Sequence, residues 1–242
     1  MKTAFITGAS HGIGKAIACE LAKNQCRLAL NCKNSKKELE QLCAGLEQTY
    51  GVPVLLLMGD IGDYEDVCAM FSEIEHRFGT VDYLVNNAGI SQIGLLSELS
   101  VQAWHQVLDT NLSSVFYCCK MAVPGMVQKK SGRILNISSV WGEVGASCEA
   151  AYSAAKGGVN ALTKALAKEL APSNIQVNAI ACGCIDTRMN AGFSAQERLQ
   201  LEEEIPCGRY GEPREVAQLA WQLLSANAYL TGQVVRLDGG WY

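Results

Sequence analysis

No apolar run in this sequence reaches the roughly 18 residues that a bilayer-spanning helix needs, so no transmembrane segment is expected. Residues 1 to 9 pass directly into a strand pattern without the features of a signal peptide, which points to the cytoplasm. Strong charge is missing too. The formal net charge is −4 and the basic pair Lys129-Lys130 is short, which argues against nucleic acid and for a small-molecule or protein-borne partner. There is no internal repeat, low-complexity tract or linker, and 242 residues with 49% hydrophobic content suffice for one core, so a single domain is expected. Cysteine is plentiful but unframed. The count of 11 is odd, and Cys118-Cys119 and Cys182-x-Cys184 lack a second ligand pair for zinc, which fits a reducing compartment and no metal site.

What is present is an alternation of short apolar runs and helical patterns. Strands are expected at residues 3–7, 27–31, 53–58, 81–85, 133–137, 176–180 and 234–237, with helices near 15–24, 36–49, 64 onward, 101–128, 152–171 and 213–225. That order implies an α/β fold with a parallel sheet and helices on both faces. Residues 183 to 210 break the rhythm with a loop and a charged helical piece at 194–204, a candidate lid over 186–210.

The first strand runs into Gly8-Ala-Ser-His-Gly12-Ile-Gly14 and then a helix. Glycines there permit a tight turn and let a dinucleotide pyrophosphate approach the amides of a helix N-terminus. The spacing is Gly-x-x-x-Gly-x-Gly rather than Gly-x-Gly-x-x-Gly. After the second strand, Asn31-Cys32-Lys33-Asn34-Ser35 carries no acid to meet a ribose 2′-hydroxyl; Lys33, Ser35 and His11 can instead meet a 2′-phosphate, which favours NADP(H) over NAD(H). Asp60 either meets the adenine or caps the helix near Tyr64. Asn86-Asn87-Ala88-Gly89 forms a small-residue corner where open sheets bind ligands.

The densest chemistry lies between Ser139 and Lys156. Tyr152 and Lys156 stand at i and i+4, so one helix face carries both a phenol and an ammonium, and a cation held that close favours the phenolate. Ser139 can hold a substrate oxygen beside that phenol. Asn111, inside the long helical stretch, is either a satisfied helix Asn or one end of a water-mediated link to Lys156.

Together, Thr7-Gly8-x-x-x-Gly12-Ile13-Gly14, Asn86-Asn87-Ala88-Gly89, Asn111, Ser139, Tyr152-x-x-x-Lys156 and Tyr229-Leu-Thr-Gly-Gln resemble the short-chain dehydrogenase/reductase family over essentially the whole chain. Thr110-Asn111-Leu-Ser-Ser-Val-Phe and Leu237-Asp-Gly-Gly are most similar to its 3-oxoacyl-[acyl-carrier-protein] reductase group. The resemblance implies a Rossmann-type, usually tetrameric enzyme. Tyr152 would be its acid/base, Lys156 would tune that phenol and bind the nicotinamide ribose, Ser139 would orient the carbonyl, and Asn111 would complete a proton relay. Further cofactor contacts are expected at Ser10, Ile13, Ile61, Gly183, Ile185 and Thr187, and a substrate pocket at Trp141, Cys148 and Phe193, with Cys182 nearby.

The chain departs from that pattern in places. Cys182-Gly183 replaces the family's Pro-Gly, which removes a fixed φ from the turn beside the nicotinamide. Ser173 stands where a carrier-binding base is common, leaving Lys129, Lys130 and Arg133 as carrier contacts. Trp141-Gly-Glu-Val-Gly-Ala-Ser-Cys-Glu149 is similar to a subgroup of reductases acting on a 5-aminopentanone modification of elongation factor P, where Glu143 or Glu149 could meet the ammonium. The leading expectation is an NADPH-dependent reductase of a 3-oxoacyl thioester, with the amino ketone as alternative. A protein that senses NADP(H) without turnover is disfavoured because all four catalytic positions are filled.

Overall fold

The computed structural model describes all 242 residues. Seven short apolar segments form strands: β1 (Thr3–Ile6), β2 (Arg27–Cys32), β3 (Val54–Met58), β4 (Tyr83–Asn86), β5 (Gly132–Ser139), β6 (Ile175–Cys182) and β7 (Val234–Leu237). They pair in the order β3-β2-β1-β4-β5-β6-β7, every pair parallel. A parallel sheet must be covered on both faces, and β1, β2, β4, β5 and β6 are accordingly buried at nearly every position. Alternate side chains divide between two cores. Ala4 and Ile6 of β1 join the core under α1 (Gly12–Lys23), α2 (Lys36–Tyr50) and α9 (Pro213–Ser225). Phe5 faces the opposite way, edge-on to Phe71 at 5.2 Å, under α3 (Tyr64–Phe78), α5 (Ser114–Gln128) and α7 (Ala150–Leu170).

The helix expected over 101–128 is three pieces: α4 (Val101–Leu108), a wide π-helical turn at Asp109–Ser113, and α5. Asn111 causes the break locally. Its Nδ2 donates to Val107 O at 2.8 Å and so takes the i−4 carbonyl that a backbone amide would use, and a ladder interrupted this way widens into a π turn. The helix carrying Tyr152 starts at Ala150, after a short α6 (Trp141–Val144). Asp63, not Asp60, caps α3, accepting from the amides of Glu65 at 2.8 Å and Asp66 at 3.4 Å. The charged piece α8 (Ala195–Glu204) starts one residue beyond Ser194, whose hydroxyl forms a capping box with Glu197.

At the amino ends of the strands Asp82 ties three segments together. Its carboxylate accepts from Thr3 N at 2.8 Å and from Lys129 Nζ at 2.8 Å, and its own amide donates to Thr3 O at 2.8 Å. Burial pushes the Asp82 carboxyl up, but the bonds from Lys129 and Thr3 outweigh it and hold the group below the usual carboxylate range. A depressed folded pKa means that the unfolded chain binds the proton first. The stabilisation is complete above about pH 3.9 and is lost as pH falls through the depressed value. Asp82→Asn should lower stability by about 2 kcal/mol at neutral pH and flatten the acid limb of a pH series of urea melts; an unchanged acid limb would remove Asp82 from this role.

Candidate active site

The cleft opens at the carboxyl ends of β1, β2, β4, β5 and β6, where open parallel sheets bind ligands. Its floor is a seam between the first turn and the corner after β4. Thr7 Oγ1 accepts from the amides of Asn87 at 3.0 Å and Ala88 at 3.1 Å, and Asn87 Nδ2 donates back to Thr7 O at 2.9 Å and Gly8 O at 3.0 Å. Nothing larger than glycine fits at position 14, where a Cβ would lie 2.4 Å from Gly8 O and 2.5 Å from Asn87 Nδ2. His11 occupies the N-cap of α1 without capping it through its side chain, so the first amides of the helix are available to an anion. Its ring is held between Ser10 Oγ at 2.6 Å and Ser35 Oγ at 3.2 Å. Burial, then Arg188, lowers its pKa, which favours the neutral imidazole.

The cleft has a volume of about 450 Å³ and brings together every expected cofactor contact: the residues of the glycine turn, Lys33, Asp60 and Ile61, Asn87 to Gly89, Tyr152, Lys156, Gly183, Ile185 and Thr187. Cys32, Ser35 and Arg188 also line it. Lys33 pairs with Asp60, which also accepts from Gly62 N at 2.9 Å, so Asp60 shapes its own loop rather than capping α3. The glycine cradle, open helix amides and adjoining cations fit a nicotinamide dinucleotide.

The reactive end is built on β5 and α7. Ser139, the last residue of β5, accepts from Trp141 N at 3.2 Å. Lys156 is 4% exposed, donates to Ile137 O at 2.8 Å, and lies 5.5 Å from the centroid of the Tyr152 ring. Burial lowers its pKa to about 8, with Cys182 opposing. Tyr152 is half-buried as a residue, but its phenol is enclosed. Burial raises its pKa, Cys182 and Glu149 add to the rise, and the Ser139 hydroxyl opposes it. The lowering expected from Lys156 is not found in the protein alone, where desolvation of the phenolate is the largest effect. A phenol kept neutral is equipped to donate a proton.

Asn111 is fully buried and absent from the cleft wall. Besides Val107 O, its amide donates to Ile90 O at 2.9 Å, and its oxygen accepts from Ile90 N at 3.2 Å. It fixes the corner at Gly89, where a Cβ would lie 2.6 Å from Asn111 Oδ1 and 3.7 Å from Lys156 Nζ. The turn at Cys182-Gly183 is held without proline: Gly183 N donates to Leu237 O at 2.9 Å, and Val140 N donates to Cys182 O at 3.0 Å. Burial pushes the Cys182 thiol up to about 12, which leaves it an unreactive neighbour of the site.

A smaller cavity of about 140 Å³ shares Ser139, Tyr152 and Gly183 with the cleft and is lined by Trp141 and Phe193, two of the three residues named from the sequence for a substrate pocket. Cys148 is not among its walls. Its backbone takes a left-handed conformation, φ 62°, its carbonyl accepts from Gly94 N at 2.9 Å, and its sulfur sits 3.7 Å from Ser147 Oγ. Glu149 does line the cavity and accepts from the Ser91 hydroxyl, whereas Glu143 lies outside it and pairs with Arg236. Lys129 and Arg133 sit at the amino ends of β4 and β5, with Lys129 engaged by Asp82 and Val81 O, so within one chain they are at the opposite edge of the sheet from Ser139. Sequence reasoning missed Ser91, Arg188, Met189 and Trp241. Ser91, Arg188 and Met189 are brought in by long connections and Trp241 by the short segment after β7, and no local pattern marks any of them.

The fold and this constellation define a short-chain oxidoreductase, and the family model for the short chain dehydrogenases matches residues 2–198. The chain belongs to that family and acts on CH–OH/C=O groups with a nicotinamide cofactor. Among similar proteins is the 3-oxoacyl-[acyl-carrier-protein] reductase FabG of Staphylococcus aureus strain Mu50, 40% identical over 242 residues, which cover 100% of this chain and 98% of that protein. The FabG protein of Staphylococcus epidermidis strain RP62A is 39% identical over 100% of this chain and 99% of its own. The oxidoreductase YmfI of Bacillus subtilis strain 168 matches equally, at 39% over 100% and 99%.

The buried ammonium gives a pH prediction. Its folded pKa of about 8 lies below the ordinary 10.5, so above pH 8 the folded protein sheds a proton that the unfolded chain keeps, and stability rises with pH across that window. The cost of keeping Lys156 charged at neutral pH is on the order of 3 kcal/mol. Lys156→Met, which carries no such cost, should lose its relative advantage as pH rises from 8 to 10.5; parallel melting curves for the two cofactor-free proteins would contradict the burial argument.

Proposed function

We propose that the chain is an NADPH-dependent carbonyl reductase that converts a 3-oxoacyl thioester, such as a carrier-borne one, to the 3-hydroxyacyl form. The observation that carries this reading is the position of Ser139 and Tyr152 on the shared wall of the dinucleotide cleft and the smaller cavity. When bound, the reduced nicotinamide supplies a hydride to the ketone carbon. The chain's own residues handle the oxygen. The Ser139 hydroxyl donates to the carbonyl oxygen and orients it, and the neutral Tyr152 phenol gives up its proton as negative charge develops there. Lys156, anchored on Ile137 O, keeps two ammonium protons for the nicotinamide ribose and for the phenolate left behind. Asn111 supports these groups by fixing the Gly89 corner.

NADPH is favoured because the far end of the cleft carries Lys33, Ser35, His11 and Arg188, and residues 31–35 carry no acid. The apolar walls of the smaller cavity suit an acyl chain. Optical assays of NADPH oxidation with an acetoacetyl thioester, free and on a carrier protein, should give turnover well ahead of NADH. Tyr152→Phe should lower turnover by roughly 10²–10⁴-fold with NADPH binding retained. An unchanged rate would remove Tyr152 from the mechanism, and NADPH binding without turnover of any ketone would leave a sensor.

One observation favours a second reading. Glu149 places a carboxylate inside an otherwise mostly apolar cavity, where an acyl chain has no use for it and the ammonium of a protein-borne amino ketone would. If that is the substrate, Glu149→Gln should raise KM for an amino ketone about tenfold or more while sparing acetoacetyl turnover. Equal effects on both substrates would dismiss it.

A further inference from the structure

We propose that Trp241 sets the length of ketone that the active site accepts; this rests on the reductase reading. β7 ends at Leu237, and residues 238–242 beyond it belong to no helix or strand. Here they are tied down at both ends. Gly239 and Gly240 take left-handed φ values of 69° and 84°, which reverse the chain, and the Asp238 carboxylate accepts from Gly240 N at 3.0 Å and Tyr242 N at 3.2 Å. The Arg236 guanidinium donates to the Tyr242 carbonyl at 2.7 Å and pairs with Glu143, on the short helix that follows the catalytic serine. Gly239 O accepts from Cys207 N at 3.1 Å, just beyond the lid helix.

The reversal lays Trp241 edge-on against Trp141, with ring centroids 5.1 Å apart, while Tyr242 meets Trp141 at 5.3 Å and Trp241 at 5.0 Å. Trp141 and Trp241 thus form a paired aromatic wall of the cavity that contains Ser139 and Tyr152, with Phe193 and Leu201 contributed by the lid. At about 140 Å³ that cavity is small against the roughly 300–1,000 Å³ usual for ligand pockets. One indole is therefore a large fraction of its boundary, and its removal extends the space into which a substituent can run.

The test separates this inference from the reductase reading by measuring binding rather than turnover. Unreactive saturated acyl thioesters, from butanoyl to decanoyl, are titrated into the NADP-loaded wild type, W241A and W241F. The wild type should bind the short members best. W241A should favour the long members by about tenfold relative to butanoyl, and W241F should stay close to wild type. A W241A profile that matches wild type along the series overturns the proposal, whether or not the wild type reduces any ketone. Should W241A fail to fold, R236A, which frees the strap but keeps the indole, is read in the same titration. Loss of length discrimination supports the role of Trp241, and a retained wild-type profile overturns it.

Discussion

Removal of the Lys156 ammonium from water is the constraint around which the rest of the structure is arranged. A buried cation is tolerable only where hydrogen-bond acceptors face it, and Ile137 O on β5 provides one at 2.8 Å. That contact fixes α7 against β5, which sets Tyr152 and Ser139 side by side at the carboxyl end of the sheet. The same dry environment keeps the phenol protonated and Cys182 inert. Catalytic competence and a local cost in stability thus have one origin.

A second constraint is close approach. The glycine turn and the corner after β4 are joined through Thr7 and Asn87 so tightly that position 14 admits no side chain. The cleft is therefore shaped before any ligand arrives, with helix amides open at one end and the reactive hydroxyls at the other. Preorganised donors of this kind are what carbonyl chemistry requires of a protein whose cofactor carries the electrons. The smaller cavity is less fixed by the sheet. It is walled by residues of the 189–201 segment, by Trp141 of α6 and by Trp241, and these are the parts in which substrate preference is expected to lie.

Much of this was legible in the sequence because it depends on local patterns. Apolar runs gave the strands, glycine spacing the turn, and the i, i+4 interval of Tyr152 and Lys156 their common face. The π turn at Asn111 was not legible, since it depends on a side chain capturing Val107 O and the Ile90 backbone at once. The phenol's raised pKa was also missed, because sequence spacing reports the nearby charge but not the desolvation that outweighs it. Trp241 and Ser91 enter the cavity through contacts distant in sequence, while Cys148, close to Tyr152 in sequence, is turned away by its left-handed backbone.

The central claim is that the Tyr152 phenol and the cofactor's hydride meet at one carbonyl. It is tested most directly with NADPH deuterated at the transferable nicotinamide position, presented with a 3-oxoacyl thioester and, separately, with an amino ketone, the products being read by mass spectrometry and NMR. The account predicts one deuterium on the carbinol carbon of the reduced product and a hydroxyl proton drawn from solvent. Product without deuterium at that carbon, or no product from either ketone while NADPH is bound, would contradict it.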